Sequence, residues 1–374
     1  MKIQVQQNEL VRALGAVANV VSSKATLPIL STILFDQKGK TLTLAATDLD
    51  VSVVTRVREV EVESEGKAAV PAAKFVPFVR TLGSHSVKIE ADKERVTLRS
   101  GKAKLEEPCM DPEDFPALPR VQEAESFTIA GSTLVDMIRT CIYATSKDET
   151  RPALQGVYWE IADGHFTMVA TDGHRLSRVR RKTGIAKKLS RKLIASSGGL
   201  QQVMRLAENL DEVTIYLGEH QLSFEMDTTT IHTRLVEGSF PNYEQVLPKN
   251  NERRIICDRE ALIDGIRRVK VSADRVTNQI RLGVSGKTMK LSASGTEGSR
   301  AEDEVAIEYG GEDVSIGFNH GYVEDILKHF KTENLLIALD RPDSAAIFLP
   351  GDDPNAEILK SDDLCLLMPL RLND

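Results

Sequence analysis

Apolar positions recur along this chain with two periods, and the two alternate in a fixed order. Three segments superpose without gaps: "ILFDQKGKTLTLAA" from Ile33, "VYWEIADGHFTMVA" from Val157 and "IRLGVSGKTMKLSA" from Ile280. Each reads as a short strand, a turn and an alternating strand. The alternating positions are Leu42, Leu44 and Ala46, then Phe166, Met168 and Ala170, then Met289, Leu291 and Ala293. A period of two predicts strands buried on one face. The Gly and Asp of the intervening turns suit tight reversals. Ahead of each hairpin the period lengthens. Leu10, Leu14, Val17 and Val21 follow Asn8. Leu134, Ile138 and either Cys141 or Ile142 follow Ser132. Leu262, Ile266 and Val269 follow Asp258. These stripes behind capping residues predict three amphipathic helices. A fainter helix follows in each third, over Lys74–Leu82, Leu200–Leu210 and Tyr322–Phe330, again with strands after it. Pro77 is tolerated only in a first turn, so the second helix is expected to start near Lys74.

The thirds also end alike, with "EDFPALP" up to Pro119 and "GSFPNYEQVLP" up to Pro248. The chain therefore reads as three copies of one domain, 1–120, 121–248 and 249–374. The fold class is α+β, with antiparallel sheets and the helices gathered on one face. Six helices and six sheet segments predict an arc or ring, with helices inside and sheets outside.

Composition adds exclusions. No apolar run approaches the ~18 residues of a membrane span. The start, "MKIQVQQNEL", lacks the apolar core of a signal peptide. Cys109, Cys141, Cys257 and Cys365 lie far apart and never as CxxC, which reads as four free thiols in a reducing cytoplasm. The net charge of −7 argues against a general nucleic-acid binder. Yet basic residues recur opposite the apolar stripes in every repeat. They are Arg12 and Lys24, Lys74 and Arg80, then Arg139, Lys147, Arg151 and Arg205, then Arg268 and Arg275. Acids such as Asp136, Glu208 and Asp264 make the bias partial. A protein acidic outside and basic along one inner surface has the same net charge. No aromatic residues interleave the basic set, so stacking on single strands is not indicated.

The stretch "ATDGHRLS", Ala170–Ser177, is the strongest candidate for chemistry. Asp172, His174 and Arg175 have the makings of an acid/base set, and His165, His174 and Asp172 of a metal site. The spacing supports neither. The histidines flank a strand, and no HxxxH, paired Cys/His or GxSxG spacing occurs. "ATDLDVS" from Ala46 repeats the opening, with Leu49 and Asp50 where His174 and Arg175 are expected. "ATD" is thus scaffold. Gly173 lets the chain turn closely, and the rest is read as a docking surface. "GKTMK" at 286–290 lacks the upstream glycine of a phosphate loop and a strand follows it. No enzymatic activity, metal or cofactor is predicted.

Five stretches together carry a resemblance: "TLPIL" at 26–30, "ATDLD" at 46–50, "ATDGHRLS" at 170–177, "FPNYEQVLPKN" at 240–250 and "MPLRL" at 368–372. With them the chain resembles, over its full length, the bacterial DNA polymerase III beta subunits, the sliding-clamp family. The resemblance implies a DNA-clamp fold and a head-to-tail homodimer closed into a ring of six domains. Double-stranded DNA, at a primed template, would thread the hole and touch the ten basic residues above. Lys24 stands where the family has an arginine, so a planar fork becomes a point charge. The resemblance further implies a ring interface between two edge strands. One carries Lys102, Lys104 and Leu105. The other carries Glu297, Glu302, Asp303 and Glu304, with Val271 nearby; opposite signs would suit the contact. It implies a pocket for short partner peptides from Leu154, Thr171, Gly173, His174, Arg175, Leu176, Pro241, Val246, Leu366, Met368, Pro369, Leu370 and Arg371. The expected occupants come from the clamp loader, the replicative polymerase alpha subunit, translesion polymerases, mismatch-repair proteins and ligase. Gln245, Leu370 and the extension Asn373–Asp374 depart from the family pattern.

Overall fold

The computed structural model describes residues 1–22, 27–83, 85–121, 125–185, 187–295 and 298–372. Among them are seven helices: α1 (Gln7–Val17), α2 (Ala72–Thr81), α3 (Gly131–Ile142), the single turn α4 (Pro152–Gln155), α5 (Ser197–Ala207), α6 (Arg259–Val269) and α7 (His320–His329). The apolar stripes face inward as their period requires. Leu10, Leu14 and Val17 of α1, Leu134, Ile138 and Cys141 of α3, and Leu262, Ile266 and Val269 of α6 are all buried. Asp258 caps α6, accepting from the Ala261 amide at 2.6 Å. Two other expected caps are not caps. α1 starts one residue before Asn8, whose side chain meets only the adjacent Glu9 amide. Ser132 lies inside α3, which starts at Gly131. A Cβ on Gly131 would stand 2.3 Å from the Ala207 carbonyl oxygen and 2.5 Å from that of Leu210. Close approach fixes glycine there.

α2 starts at Ala72 rather than Lys74, which places Pro77 in the helix interior. The amide that Pro77 lacks would have bonded Ala73. Both residues are exposed, so water can serve the freed carbonyl while Phe75, Val76 and Val79 hold the opposite face in the core.

The described strand pairings are antiparallel. The chain groups into two compact units, 1–135 with 195–235, and 136–194 with 236–374. The division falls inside the second repeat because sheets run on across the repeat junctions. In the first unit the strand Val51–Val57 of the first repeat pairs with Thr229–Arg234 of the second. In the second unit Arg175–Lys182 pairs with Asp363–Leu367 near the chain's end.

The sheets are more buried than alternation alone predicts. One face of Gly156–Ala162 and His165–Thr171 holds Trp159, Ile161, Phe166 and Met168 in the main core. The other face lies under a second layer, in which Val169, Leu176 and Leu366 pack with Tyr243 and Leu247. The first unit repeats this device with Leu34, Ala45 and Ala69 under Ile29, Leu30 and Phe115. The "TLPIL", "EDFPALP" and "FPNYEQVLP" segments thus supply these covers. That is why the strand Thr32–Lys38 begins with four buried residues in a row instead of alternating.

Candidate docking site and nucleic-acid interface

The turn after "AT" is built by side chains bonding to main chain. Asp172 Oδ1 accepts from the amides of His174 at 2.9 Å and Arg175 at 3.0 Å. Thr171 Oγ1 donates to the Arg175 carbonyl at 2.6 Å and accepts from the Gly173 amide at 3.1 Å. The first repeat makes the same bonds. Asp48 Oδ1 accepts from Asp50 and Val51, and Thr47 Oγ1 bridges Leu49 and Val51. The matching residues are therefore Leu49 with Gly173, Asp50 with His174 and Val51 with Arg175, one position earlier than the sequence suggested. Gly173 has φ +91° and Leu49 φ +82°. Glycine takes that conformation freely, and leucine takes it under strain.

The seams beyond the two turns match as well. Val51 faces Thr233 and Arg175 faces Leu367. The Arg234 amide donates to the Asp50 carbonyl at 3.0 Å, and the Met368 amide to the His174 carbonyl at 2.8 Å. The "MPLRL" tail is thereby tied to "GHRL" through the backbone. Leu176 and Leu366 pair across the ladder, both buried. Met368 and Val246 stay 43% and 58% exposed, large apolar side chains left in water. Thr171 and Leu154 are half-buried, and the Leu154 carbonyl accepts from the Ser146 amide. Gly173 lies beside Arg151, where a Cβ would sit 3.6 Å from Nη1. Pro241 lines a separate cleft of about 270 Å³ with Tyr158, Lys192 and Tyr243. Past the half-buried Pro369, the Leu370 amide donates to Gly317 and the Arg371 carbonyl accepts from Gln279. Asn373 and Asp374 lie outside the described residues.

Arg175 departs from its expected place on the docking surface. It is 9% exposed, and its donors are engaged internally. Nε donates to Asp172 at 3.0 Å, Nη1 to Asp325 at 2.7 Å and Nη2 to the Tyr143 carbonyl at 2.7 Å. The guanidinium also lies over the rings of Tyr322, at 4.4 Å, and Tyr143, at 5.2 Å. Burial works against its charge, but the Asp325 bond and the two carboxylates outweigh burial and raise its pKa. Arg175 braces the seam. His174, exposed and 6.4 Å from the Tyr322 ring, is the member of the pair that faces water. Sequence reasoning missed Tyr143 and Asp325, and no local signal marks either.

The basic residues fall into two groups. Arg80, Lys147 and Arg275 are exposed, as is Arg139 at the last turn of α3. Others hold acids of their own surface: Arg12 to Glu9 at 2.9 Å, Lys74 to Glu107 at 3.1 Å, Arg151 to Asp148 at 3.4 Å and Arg268 to Asp303 at 2.6 Å. Arg205 departs from the expected role. It donates to the Gly15 and Ala16 carbonyls at 2.8 and 2.7 Å, closing the C-terminal turn of α1, and burial lowers its pKa. Lys24 and Glu297 lie outside the described residues.

The two strands that carry the expected interface residues each leave an edge wholly or partly open among the described residues. Ala103–Pro108, with Lys104 and Leu105, ends its sheet, and Lys102 sits in the turn before it. Arg300–Glu308 pairs along one side with Thr288–Ser294, but on its other side only Ile307 and Glu308 find described partners. Several charged residues of these edges also hold partners on their own surface. Lys104 pairs with Glu106 in its own strand, Glu302 with Lys290 and Asp303 with Arg268. Glu304 is exposed, and Val271 is 80% exposed.

Repeated α+β domains with sheets continuous across their junctions, and a turn whose carboxylate is used up holding backbone, define a clamp-fold protein that works through surfaces. Family models for the N-terminal, central and C-terminal domains of the DNA polymerase III beta subunit match residues 1–119, 128–242 and 244–361. The beta sliding clamp of Pseudomonas aeruginosa is 30% identical over 374 residues, covering all of both chains. That of Escherichia coli is 29% identical over 341 residues, 91% of this chain and 93% of its own. Among solved structures, the P. aeruginosa clamp with ligand covers both chains completely at TM-score 0.92 and 30% identity. The Bartonella birtlesii clamp bound to griselimycin does so at 0.93 and 28%. The chain belongs to the DNA polymerase III beta subunit family, and with it to the non-catalytic processivity clamps.

Proposed function

We propose that two copies of this chain join head to tail into a ring around duplex DNA and tether a replicative polymerase to it. Full-length membership of the clamp family carries this reading. Each chain contributes three domains, 1–120, 121–248 and 249–374. The open edges Ala103–Pro108 and Arg300–Ala306 are the surfaces proposed to meet between copies, by backbone pairing and apolar contact at Leu105 and Val271 rather than by opposite charge. Arg12, Lys24, Lys74, Arg80, Arg139, Lys147, Arg151, Arg268 and Arg275 are the proposed phosphate contacts. Such contacts are independent of sequence and weaken with salt. Partner peptides dock beside His174, Val246 and Met368. The partners proposed are the clamp loader, the polymerase alpha subunit, translesion polymerases, mismatch-repair proteins and ligase, all in the cytoplasm. The exposed apolar pair Val246 and Met368 supports the docking reading, since methionine adapts to varied ligands.

Retention on DNA tests the ring. Protein loaded onto a nicked circle should stay bound and should run off once the circle is linearised. Equal retention on both forms overturns the reading.

A further inference from the structure

The outer face of the second repeat's sheet holds a charged group that neither DNA nor peptide docking uses. Arg178 is 8% exposed. Its Nη2 donates to the carbonyls of Leu359 and Ser361 at 3.0 and 2.7 Å. Its Nε is buried without an acceptor, and no described hydrogen bond engages Nη1. The side chain lines a cleft of about 240 Å³. Three acids border that cleft, Glu160, Asp163 and Glu244, and none has a described hydrogen bond or ion pair with Arg178. Glu160 is held by Lys192 at 2.8 Å and receives the Tyr243 hydroxyl at 3.5 Å, while Glu244 is exposed.

The internal repeat shows how unusual this is. Ser52 matches Leu176, so Val54 matches Arg178. Val54 faces Thr230 across its seam, and Arg178 faces Leu364 across the other. In the first repeat Val54 packs on the apolar outer layer with Ile29 and Phe115. A valine suffices to close that layer, whereas the second repeat buries a guanidinium at the same place. A buried cation without an anion is costly, and proteins rarely keep one idle. Burial lowers the pKa of Arg178, although Tyr243, Glu244 and Asp362 nearby work the other way. Arg180, two residues along the same face, and Thr167, opposite Arg180, also line the cleft.

We propose that this cleft is a carboxylate-binding site, with Arg178 as the inner contact and Arg180 as the outer one. An entering carboxylate meets Nη1 in a single charge-assisted hydrogen bond, since Nη2 is held by two carbonyls and Nε opens on the Nη2 side of the guanidinium. The site is independent of the clamp reading and stands or falls separately.

Acetate serves as the probe. The melting temperature of the full chain is followed against sodium acetate, with ionic strength held constant by sodium chloride. A saturable rise is expected in the wild type and none in Arg178→Met. The apo melting temperature of that variant should be lower, because the Leu359 and Ser361 carbonyls lose their donor; the test reads its response to acetate. Should Arg178→Met fail to fold, Arg180→Gln, whose side chain is only half-buried, should weaken the acetate dissociation constant roughly tenfold, the loss of one charge-assisted hydrogen bond. Overturning results are an equal rise in wild type and Arg178→Met, no saturable rise in the wild type, saturation by inorganic phosphate but not acetate, or an Arg180→Gln affinity equal to wild type.

Discussion

Arg175 and His174 stand side by side and do different work, which substitution should separate. Arg175→Ala removes the common partner of Asp172, Asp325 and the Tyr143 carbonyl. It should cost about 2–3 kcal/mol, since hydrogen bonds to charged groups are at stake and Asp325 is partly solvated. His174→Ala should leave stability within about 0.5 kcal/mol, as surface changes usually do, while weakening a clamp-binding peptide. Urea unfolding followed by circular dichroism, with peptide anisotropy beside it, reads both. Equal stability losses would remove the distinction. Glu324 predicts a pH effect. Burial raises its pKa, but Lys270, at 2.9 Å to both oxygens, and His320, at 3.1 Å, bring it below the usual range. A carboxylate depressed in the folded state binds protons more readily when unfolded. Its stabilisation is therefore complete above the unfolded pKa of about 4.3 and is lost as pH falls through the lower folded value. Glu324→Gln should flatten the acid limb of the stability curve. A limb as steep as wild type would remove Glu324 from the account.

At the scale of elements, the cap assignments give a paired test. Asp258→Ala should cost about 1 kcal/mol, and Asn8→Ala a few tenths at most, because Asn8 sits inside α1 and closes no orphan amide beyond its neighbour. Similar losses in chemical denaturation would restore Asn8 as a cap. The helices and hairpins were legible because period and turn chemistry are local properties. Boundaries slipped where the deciding contact is remote. Gly131 starts α3 because carbonyls at 207 and 210 crowd it, and α2 starts early because water can serve the Ala73 carbonyl. The second cover over the sheets was legible only as unexplained prolines and aromatics in "FPNYEQVLP". The candidate site was half legible. Its chain segments carry recognisable motifs, but Asp325 lies 150 residues from Arg175, and no pattern in the chain announces that pairing.

For the whole molecule, the tail is the lever. Met368 is anchored through its amide to His174, and Leu370 through its amide to Gly317, so the backbone should hold without the methionine side chain. Met368→Ala is expected to weaken a polymerase-tail peptide about tenfold or more, as truncating a central apolar anchor does. The mass in native spectrometry should remain that of a dimer. Deleting 368–374 should abolish peptide binding and also leave the dimer. A monomer in either case would tie the tail to assembly as well as docking.

The two turns share the bonds that threonine and aspartate make to the main chain, yet carry Leu-Asp-Val in one and Gly-His-Arg in the other. Threonine and aspartate hold the loop from outside those three positions, so the same shape takes glycine freely and leucine under strain at its first place. Descent can therefore rewrite the exposed letters of one copy while the other keeps its own, and neither must learn to fold again. A graft of Gly-His onto positions 49–50 ought to be tolerated as a loop, with the buried Val51 kept. Inheritance by duplication has given this chain a spare frame, already folded, on which a new specificity could be written.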